Sequence, residues 1–135
     1  MSNILLHASP VAALPAGQRA SILLAHGSRD PLWRRPVEAV ATRMSELAPA
    51  LHVRCAYLES CAPDLPSCAA ELVALGVKSI TVAPLFFGLG KHLREDLPRL
   101  LTALRSAHSG VDFDLKKSIG EEAALIELMA QLAVS

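Results

Sequence analysis

Two histidines and one glutamate each follow a short apolar run that is typical of a buried β-strand. His26 comes directly after the first run, Glu59 ends the second, and His92 follows the loop after the third. Two imidazoles and a carboxylate are suitable ligands for a borderline divalent metal ion such as cobalt, iron, nickel or zinc. With only two or three protein ligands, some coordination positions of the metal stay open. A site that must release its metal needs such open positions, whereas a structural zinc site has none.

The same residues also have ordinary explanations when each is taken alone. A single histidine after a strand is more often a hydrogen-bonding loop residue than a metal ligand, and Glu59 has the features of a surface carboxylate. The metal hypothesis therefore depends on His26 and His92 lying at the same edge of the fold. The elements that position them decide whether they do.

From Ser21 onward, apolar runs alternate with segments of helical periodicity. The sequence predicts four strands, at Ser21–Ala25, Leu51–Leu58, Lys78–Ala83 and Asp112–Ser118. Between and after them it predicts four helices: one beginning near Pro36 and ending at Pro49, one capped by Asp64 and stopped by Gly76, then Leu93–Ala107 and Glu121–Ala133. In the last helix, four residues are expected to face inward: Leu125, Leu128, Met129 and Leu132. In the first helix, apolar residues recur at helical spacing: Val37, Val40, Ala41, Met44, Leu47 and Ala48.

Strands separated by helices run parallel with right-handed crossovers, so the pattern predicts an α/β fold. We expect one three-layer, doubly wound, mainly parallel four-stranded sheet of the flavodoxin-like type, formed by residues 21–135 after an N-terminal extension, residues 1–20. In a 2-1-3-4 strand order the first and third strands are neighbours. Ligands of such sheets bind beyond the carboxyl ends of the strands, where His26 and His92 would face each other.

Five basic residues flank the proposed site although the whole chain, with 13 basic and 13 acidic residues, is neutral. Arginine pairs well with carboxylates, so a basic rim would suit a small polyanionic ligand. Solvated charges at the starts of two helices are the alternative explanation. The residues are Arg29, Arg34, Arg35, Lys91 and Arg94.

Composition excludes several other classes of protein. A hydrophobic content of 52% argues against general disorder, charge balance gives no support for nucleic-acid binding, and no apolar run is long enough to span a bilayer. Three cysteines without a CxxC pattern favour neither a disulfide framework nor a thiolate zinc site, and we expect a cytoplasmic location. The run around Gly88 and Gly90 lacks the spacing of a phosphate-binding loop.

Three motifs on these elements resemble the small sirohydrochlorin chelatases of the CbiX type. They are AHGSRDPLW at Ala25–Trp33, AYLE at Ala56–Glu59 and PLFFGLGKHLREDLP at Pro84–Pro98. The segment SIGEE at Ser118–Glu122 is similar to the closing region of that family. The chain departs mildly from the pattern in Phe87, Lys91 and the N-terminal extension.

The resemblance implies an ATP-independent lyase with a chelatase-like half-domain, which inserts cobalt or ferrous iron into sirohydrochlorin for cobalamin or sirohaem biosynthesis. It implies that His26 and His92 bind the metal, that Glu59 is a third ligand or proton acceptor, and that two copies pair as a homodimer. No cofactor beyond the inserted metal is implied. Nucleic acids and membranes are not expected partners.

Two other functions use the same residues. A non-catalytic carrier of metal or tetrapyrrole would need the same two histidines. A phosphate-ester hydrolase would use His26 as its nucleophile, but this interpretation leaves His92 unexplained and requires an arginine where the chain has Ala25.

Overall fold

The computed structural model describes residues 18–135, so residues 1–17 of the predicted N-terminal extension lie outside the described part. The first strand begins at Arg19, which places the last residues of that extension in the sheet. In chain order the elements are β1 (Arg19–Ala25), α1 (Pro31–Leu47), β2 (His52–Tyr57), α2 (Leu65–Ala74), β3 (Ser79–Pro84), α3 (Lys91–Ala107), β4 (Asp112–Leu115) and α4 (Ala123–Val134), with a 3-10 turn at Ile119–Glu121.

Within residues 18–135 the four strands form one parallel sheet in the order β2-β1-β3-β4. This arrangement confirms the predicted α/β fold and strand order. Leu24, near the carboxyl end of β1, is in register with Ala56 of β2 and Pro84 of β3. The three loops that follow these strands therefore leave the same edge of the sheet.

The core lies between the sheet and the helices α2 and α3. Ile22 and Leu24 of β1 alternate with residues of the other face, and they pack against Leu72 of α2 and Leu101 of α3. All four side chains are buried, and each contributes roughly 1.5–3 kcal/mol relative to an exposed position. This face supplies most of the hydrophobic stabilisation of the fold.

The opposite face of the sheet is covered only partly. Neither α1 nor α4 contains a buried residue. Of the α4 residues expected to face inward, Leu125 and Met129 are half-buried, but the expectation is wrong for Leu128 and Leu132, which are exposed at 51% and 68%. Val40 and Met44 of α1 and Leu125 and Leu128 of α4 line an open groove between the two helices.

Two helices begin earlier than the sequence predicts. Helix α1 starts at Pro31 rather than Pro36, because the Asp30 carboxylate accepts a 2.9 Å hydrogen bond from the backbone N–H of Leu32 and caps the first turn. Pro36 thus lies inside the helix. Helix α3 starts at Lys91, so His92 belongs to its first turn and not to the preceding loop.

The three cysteines are free thiols, and the core itself contains Cys68. Burial is the main reason that the pKa of Cys68 rises to about 11, and it also raises the pKa of Cys55. These two thiols are therefore protonated near neutral pH and are poor metal ligands. In residues 18–135 no helix combines the length and apolarity that crossing a bilayer requires.

Two leucines near the end of α2 test whether the core between the sheet and α2/α3 supplies the stability of the fold. Leu72 is fully buried, whereas Leu75, at the helix end, is 56% exposed. We expect Leu72→Ala to lower the free energy of unfolding by about 2–5 kcal/mol, because it removes contacts and leaves a cavity, and Leu75→Ala to change it by less than about 1 kcal/mol. Chemical denaturation of both variants measures the difference. Equal losses would contradict the proposed core.

Candidate metal-binding rim

Three loops at the carboxyl edge of the sheet carry the residues singled out from the sequence. His26 follows β1 directly, Glu59 lies two residues beyond β2, and His92 lies in the first turn of α3 after the loop that leaves β3. All three residues are exposed. Their side chains are accessible to a metal ion from solvent.

The first and second loops are joined through their backbones. The N–H of Leu58 donates to the carbonyl of Ala25, and the N–H of Glu59 donates to the carbonyl of His26, each at 3.0 Å. Gly27 has a φ of +101°, and a Cβ there would lie 1.9 Å from the Glu59 carbonyl oxygen. Only glycine permits both this conformation and this approach, so the histidine-glycine pair is fixed against the glutamate loop.

The first and third loops are joined through aromatic contact. The imidazole of His26 packs edge-to-face on Phe86, with ring centroids 4.6 Å apart and planes inclined at 68°. Phe86 is itself buried, and the N–H of its neighbour Leu85 donates to the Leu24 carbonyl at 2.8 Å. The buried phenyl ring thus restricts the orientation of the exposed imidazole.

The loop that follows β3 is hydrogen-bonded to the segment that precedes α4. The hydroxyl of Ser118, which is fully buried, donates a hydrogen bond to the Phe86 carbonyl oxygen, and the N–H of Gly120 donates to the same oxygen at 2.9 Å. A Cβ at Gly120 would lie 2.0 Å from the Phe87 carbonyl oxygen. Ser118 and Gly120 therefore position Phe86, and through it His26.

The sequence favoured a core position for at least one phenylalanine of the Leu85-Phe86-Phe87 run, and Phe86 is indeed in the core. It assigned no contact to Ser118 or Gly120. Their only signal was the likeness of SIGEE to a family segment, which does not say what the segment contacts. The contact between Ser118 and Phe86 joins residues 32 positions apart, so local spacing could not reveal it.

His92 lies in the first turn of α3 and not in the loop that precedes this helix. Gly90 is the N-cap of α3, and its carbonyl accepts from the Arg94 backbone N–H at 2.9 Å. The Arg94 guanidinium donates to the Leu89 carbonyl at 3.1 Å, which draws this arginine back over the loop. The first turn of α3 and the preceding loop are thereby held together.

The three loops contact one another, but their side chains do not form a complete set of metal ligands. Within residues 18–135, no three histidine, cysteine or acidic side chains lie close enough together to hold a metal ion. The three-ligand site of His26, His92 and Glu59 therefore stays a prediction. The contacts described above join His26 to the backbone of Glu59 and to the loop that leads to His92.

The predicted basic rim divides between two helices. Arg34 and Arg35 lie on α1 and Lys91 and Arg94 on α3, whereas Arg29 lies in the loop between β1 and α1. Arg34 is half-buried and the other four are exposed. The ion pairs found within residues 18–135 involve none of the five, so these charges are not neutralised by a neighbouring carboxylate.

Tyr57 ends β2 beside this rim. It is buried and packs edge-to-face against Trp33, with ring centroids 6.4 Å apart. Burial is the main cause that raises the pKa of Tyr57 to about 12, and the nearby acidic groups Cys55 and Glu38 add to it. The phenol keeps its proton at physiological pH, so it can donate a hydrogen bond but does not add a negative charge.

The fold is the α/β fold of the CbiX and SirB structures. A solved structure of a putative cobalamin (vitamin B12) biosynthesis CbiX protein from Marinobacter aquaeolei VT8 superimposes with a TM-score of 0.75 at 33% identity, covering 85% of this chain and 93% of that one. The sirohydrochlorin chelatase SirB from Bacillus subtilis subspecies spizizenii, solved with cobalt, gives 0.69 at 21% identity and covers 84% of this chain but 49% of SirB. The second likeness concerns the fold alone.

Residues 20–134 match the model of the CbiX family, and the chain belongs to that family. The resemblance inferred from the motifs is thereby confirmed. The proteins named sirohydrochlorin cobaltochelatase in Methanopyrus kandleri and Saccharolobus solfataricus are similar to it, at 33% identity over 82 residues and 35% over 96. These alignments cover 61% and 71% of this chain, and 57% and 67% of the relatives.

The contact behind the third loop yields a prediction. We expect Gly120→Ala to displace the backbone at Phe87, because the new Cβ overlaps its carbonyl, and so to change the packing of Phe86 on His26. The NMR signals of the His26 ring should then shift, since they lie in the ring current of Phe86. Gly110→Ala is the control, because a Cβ there meets no heavy atom within 4 Å. Unchanged His26 signals in Gly120→Ala would contradict the proposed positioning.

Proposed function

We propose that this protein is an ATP-independent chelatase that inserts a divalent metal, cobalt or ferrous iron, into sirohydrochlorin. The observation that carries the proposal is the packing of His26 on Phe86, which joins two of the three rim loops in a member of the CbiX family. The relatives' name, sirohydrochlorin cobaltochelatase, supports this choice of substrate and metal. The product would serve cobalamin or sirohaem biosynthesis.

In this proposal His26 and His92 hold the metal ion before insertion. Neutral imidazole binds cobalt and ferrous iron well, and two protein ligands leave the remaining positions to water and to the incoming macrocycle. Placement on a packed loop and on the first turn of α3 keeps both imidazoles at the sheet edge while the ligands exchange. Glu59 would be a third ligand or an acceptor of protons.

Insertion requires the macrocycle to lose two pyrrole N–H protons while it gains four bonds to the metal. Each nitrogen that donates its lone pair to the metal displaces water or an imidazole, so the ligands are exchanged stepwise. The released histidine, or Glu59, accepts a proton from a pyrrole nitrogen and then passes it to water. Net charge is conserved, since a dication enters as two protons leave.

The basic rim would orient the substrate. Sirohydrochlorin is a polyanion, and its peripheral carboxylates can pair with the exposed cations of α1 and α3. The five cations have no carboxylate partner within residues 18–135, which supports this role. They are Arg29, Arg34, Arg35, Lys91 and Arg94.

We further propose that two copies form a homodimer and that the enzyme is cytoplasmic. The chain aligns with 49% of SirB, so two copies would supply the two halves of such a fold. Free thiols support a reducing compartment. Sedimentation should give a particle of twice the 14.3 kDa chain mass, and a monomer at micromolar concentration would contradict the dimer.

Histidine variants test the activity. With sirohydrochlorin and Co²⁺, the wild-type protein should accelerate the spectral change of metallation above the rate without protein. Loss of a group that hydrogen-bonds to a metal ligand typically lowers metal affinity or activity about 10–100-fold. Because His26→Ala and His92→Ala remove direct ligands, each should lower the rate of metallation by roughly 100-fold or more. His108→Ala is the matched control, since His108 caps the opposite end of α3 and packs on Phe113.

Circular dichroism should show that the three variants remain folded. Full activity in His92→Ala would contradict the site. If the wild-type protein shifts the spectrum of bound sirohydrochlorin without accelerating metallation, it is a carrier and not a chelatase.

A further inference from the structure

A phenylalanine at the carboxyl edge of the sheet points into solvent. Phe87 is 78% exposed, although its neighbour Phe86 is buried in the core and packs on His26. An aromatic ring has a large apolar area, and its exposure to water is unfavourable until a ligand covers it. Phe87 lies in the loop between β3 and α3, the loop that leads to His92.

The backbone at Phe87 is held in place, so the outward position of its ring is part of the fold. The carbonyl of Phe86 accepts from the Gly120 N–H at 2.9 Å and from the Ser118 hydroxyl. Gly120 lies so close that a Cβ there would be 2.3 Å from the Phe87 Cα. Because Phe86 fills the core position, Phe87 stays on the outer side of the loop.

Apolar residues continue the surface of Phe87 towards α4. A cavity of about 160 Å³ lies between them, lined by Phe87, Ile119, Leu125 and Met129 among others. None of the described residues that line this cavity is charged. Ile119 is itself 38% exposed, so Phe87 and Ile119 together form an exposed apolar platform at the sheet edge.

Cations follow Phe87 along the chain. Lys91 and Arg94 lie four and seven residues after it, both are exposed, and Arg94 donates to the Leu89 carbonyl of the same loop at 3.1 Å. An apolar platform, histidines and cations on joined loops suit a flat conjugated molecule whose edge carries carboxylates.

We propose that Phe87 and Ile119 contact one face of the tetrapyrrole macrocycle and position it for insertion of the metal. This inference rests on the proposed chelatase function and deepens it, since it names residues that bind the conjugated ring and not its carboxylates. The carboxylates of sirohydrochlorin lie at its periphery, so the basic residues hold the edge and leave the ring faces without a contact. An aromatic and an aliphatic side chain supply that contact.

Binding of metal-free sirohydrochlorin tests the proposal without requiring turnover. Trp33, the only tryptophan of the chain, lies in the first turn of α1 at the same edge of the sheet. Tetrapyrroles absorb in the near ultraviolet, where tryptophan emits, so quenching of Trp33 fluorescence reports the bound macrocycle. We expect Phe87→Ser to raise the dissociation constant about 10–50-fold, because the apolar contact of the ring with the macrocycle is lost.

Two further variants are controls. Phe87→Tyr keeps an aromatic ring, so its dissociation constant should stay within about 3-fold of the wild-type value. Leu47→Ser should leave the dissociation constant unchanged, because Leu47 is 68% exposed but lies at the other end of the 17-residue helix α1 from Trp33. The affinity for Co²⁺ alone, measured by isothermal titration calorimetry, should be equal in all four proteins, since no histidine is changed.

The possible results separate this proposal from the proposed function. An unchanged dissociation constant in a Phe87→Ser protein that still metallates sirohydrochlorin would overturn the platform and leave the chelatase intact. A 10-fold or larger loss of affinity supports the platform even if the protein proves to be a carrier. A wild-type protein that does not bind sirohydrochlorin would overturn both.

Two other results would also overturn the platform. If Phe87→Ser loses affinity for Co²⁺ as well, Phe87 acts on the metal site and does not bind the macrocycle. If sedimentation shows that Phe87→Ser dissociates an oligomer, and the affinity for sirohydrochlorin returns at high protein concentration, Phe87 contacts a second copy instead.

Discussion

Hydrogen bonding between β1 and β3 brings the ends of two strands that are distant in sequence to one edge of the sheet. Ile22 pairs with Val82 and Leu24 with Pro84, so the chain leaves both strands side by side. Every contact of the rim depends on this register. A shift by one residue would turn the alternating side chains of β1 to the other face and move His26 away from Phe86.

The rest of the fold stabilises the register between β1 and β3. On one face, α2 and α3 enclose a core of fully buried aliphatic side chains, and the loops between strands and helices are tied by backbone hydrogen bonds. At the edge, Gly27 allows the first loop to lie against the second, and Ser118 with Gly120 holds the third. The exposed histidines are therefore supported by buried or backbone groups, which restrict their positions at the sheet edge without enclosing them.

The two faces of the sheet have different physical roles. The α2/α3 face is closed and accounts for the stability of the fold. The α1/α4 face presents apolar side chains to an open groove. The apolar stripes of α1 and α4 were readable in the sequence, but periodicity identifies the apolar side of a helix and not what covers it.

The sequence was sufficient for the strand order because alternating strands and helices leave few topologies. The same reasoning placed His26, Glu59 and the loop before His92 at one edge. The start of α1 predicted from Pro36 is wrong, because the Asp30 carboxylate caps the helix five residues earlier and Pro31 occupies its first position. The contacts of Phe86 with His26 and with Ser118 were not predictable, because they join residues distant in sequence and depend on three-dimensional packing.

The central claim is that the rim holds one metal ion between the imidazoles of His26 and His92. Proton NMR of the Co²⁺-loaded protein tests it most directly, since a paramagnetic ion shifts the signals of each histidine that it binds. We expect one equivalent of Co²⁺ to shift two imidazole N–H signals, and His26→Ala and His92→Ala each to remove one of them. Binding that leaves both histidines unshifted, or that persists unchanged in both variants, would contradict the claim.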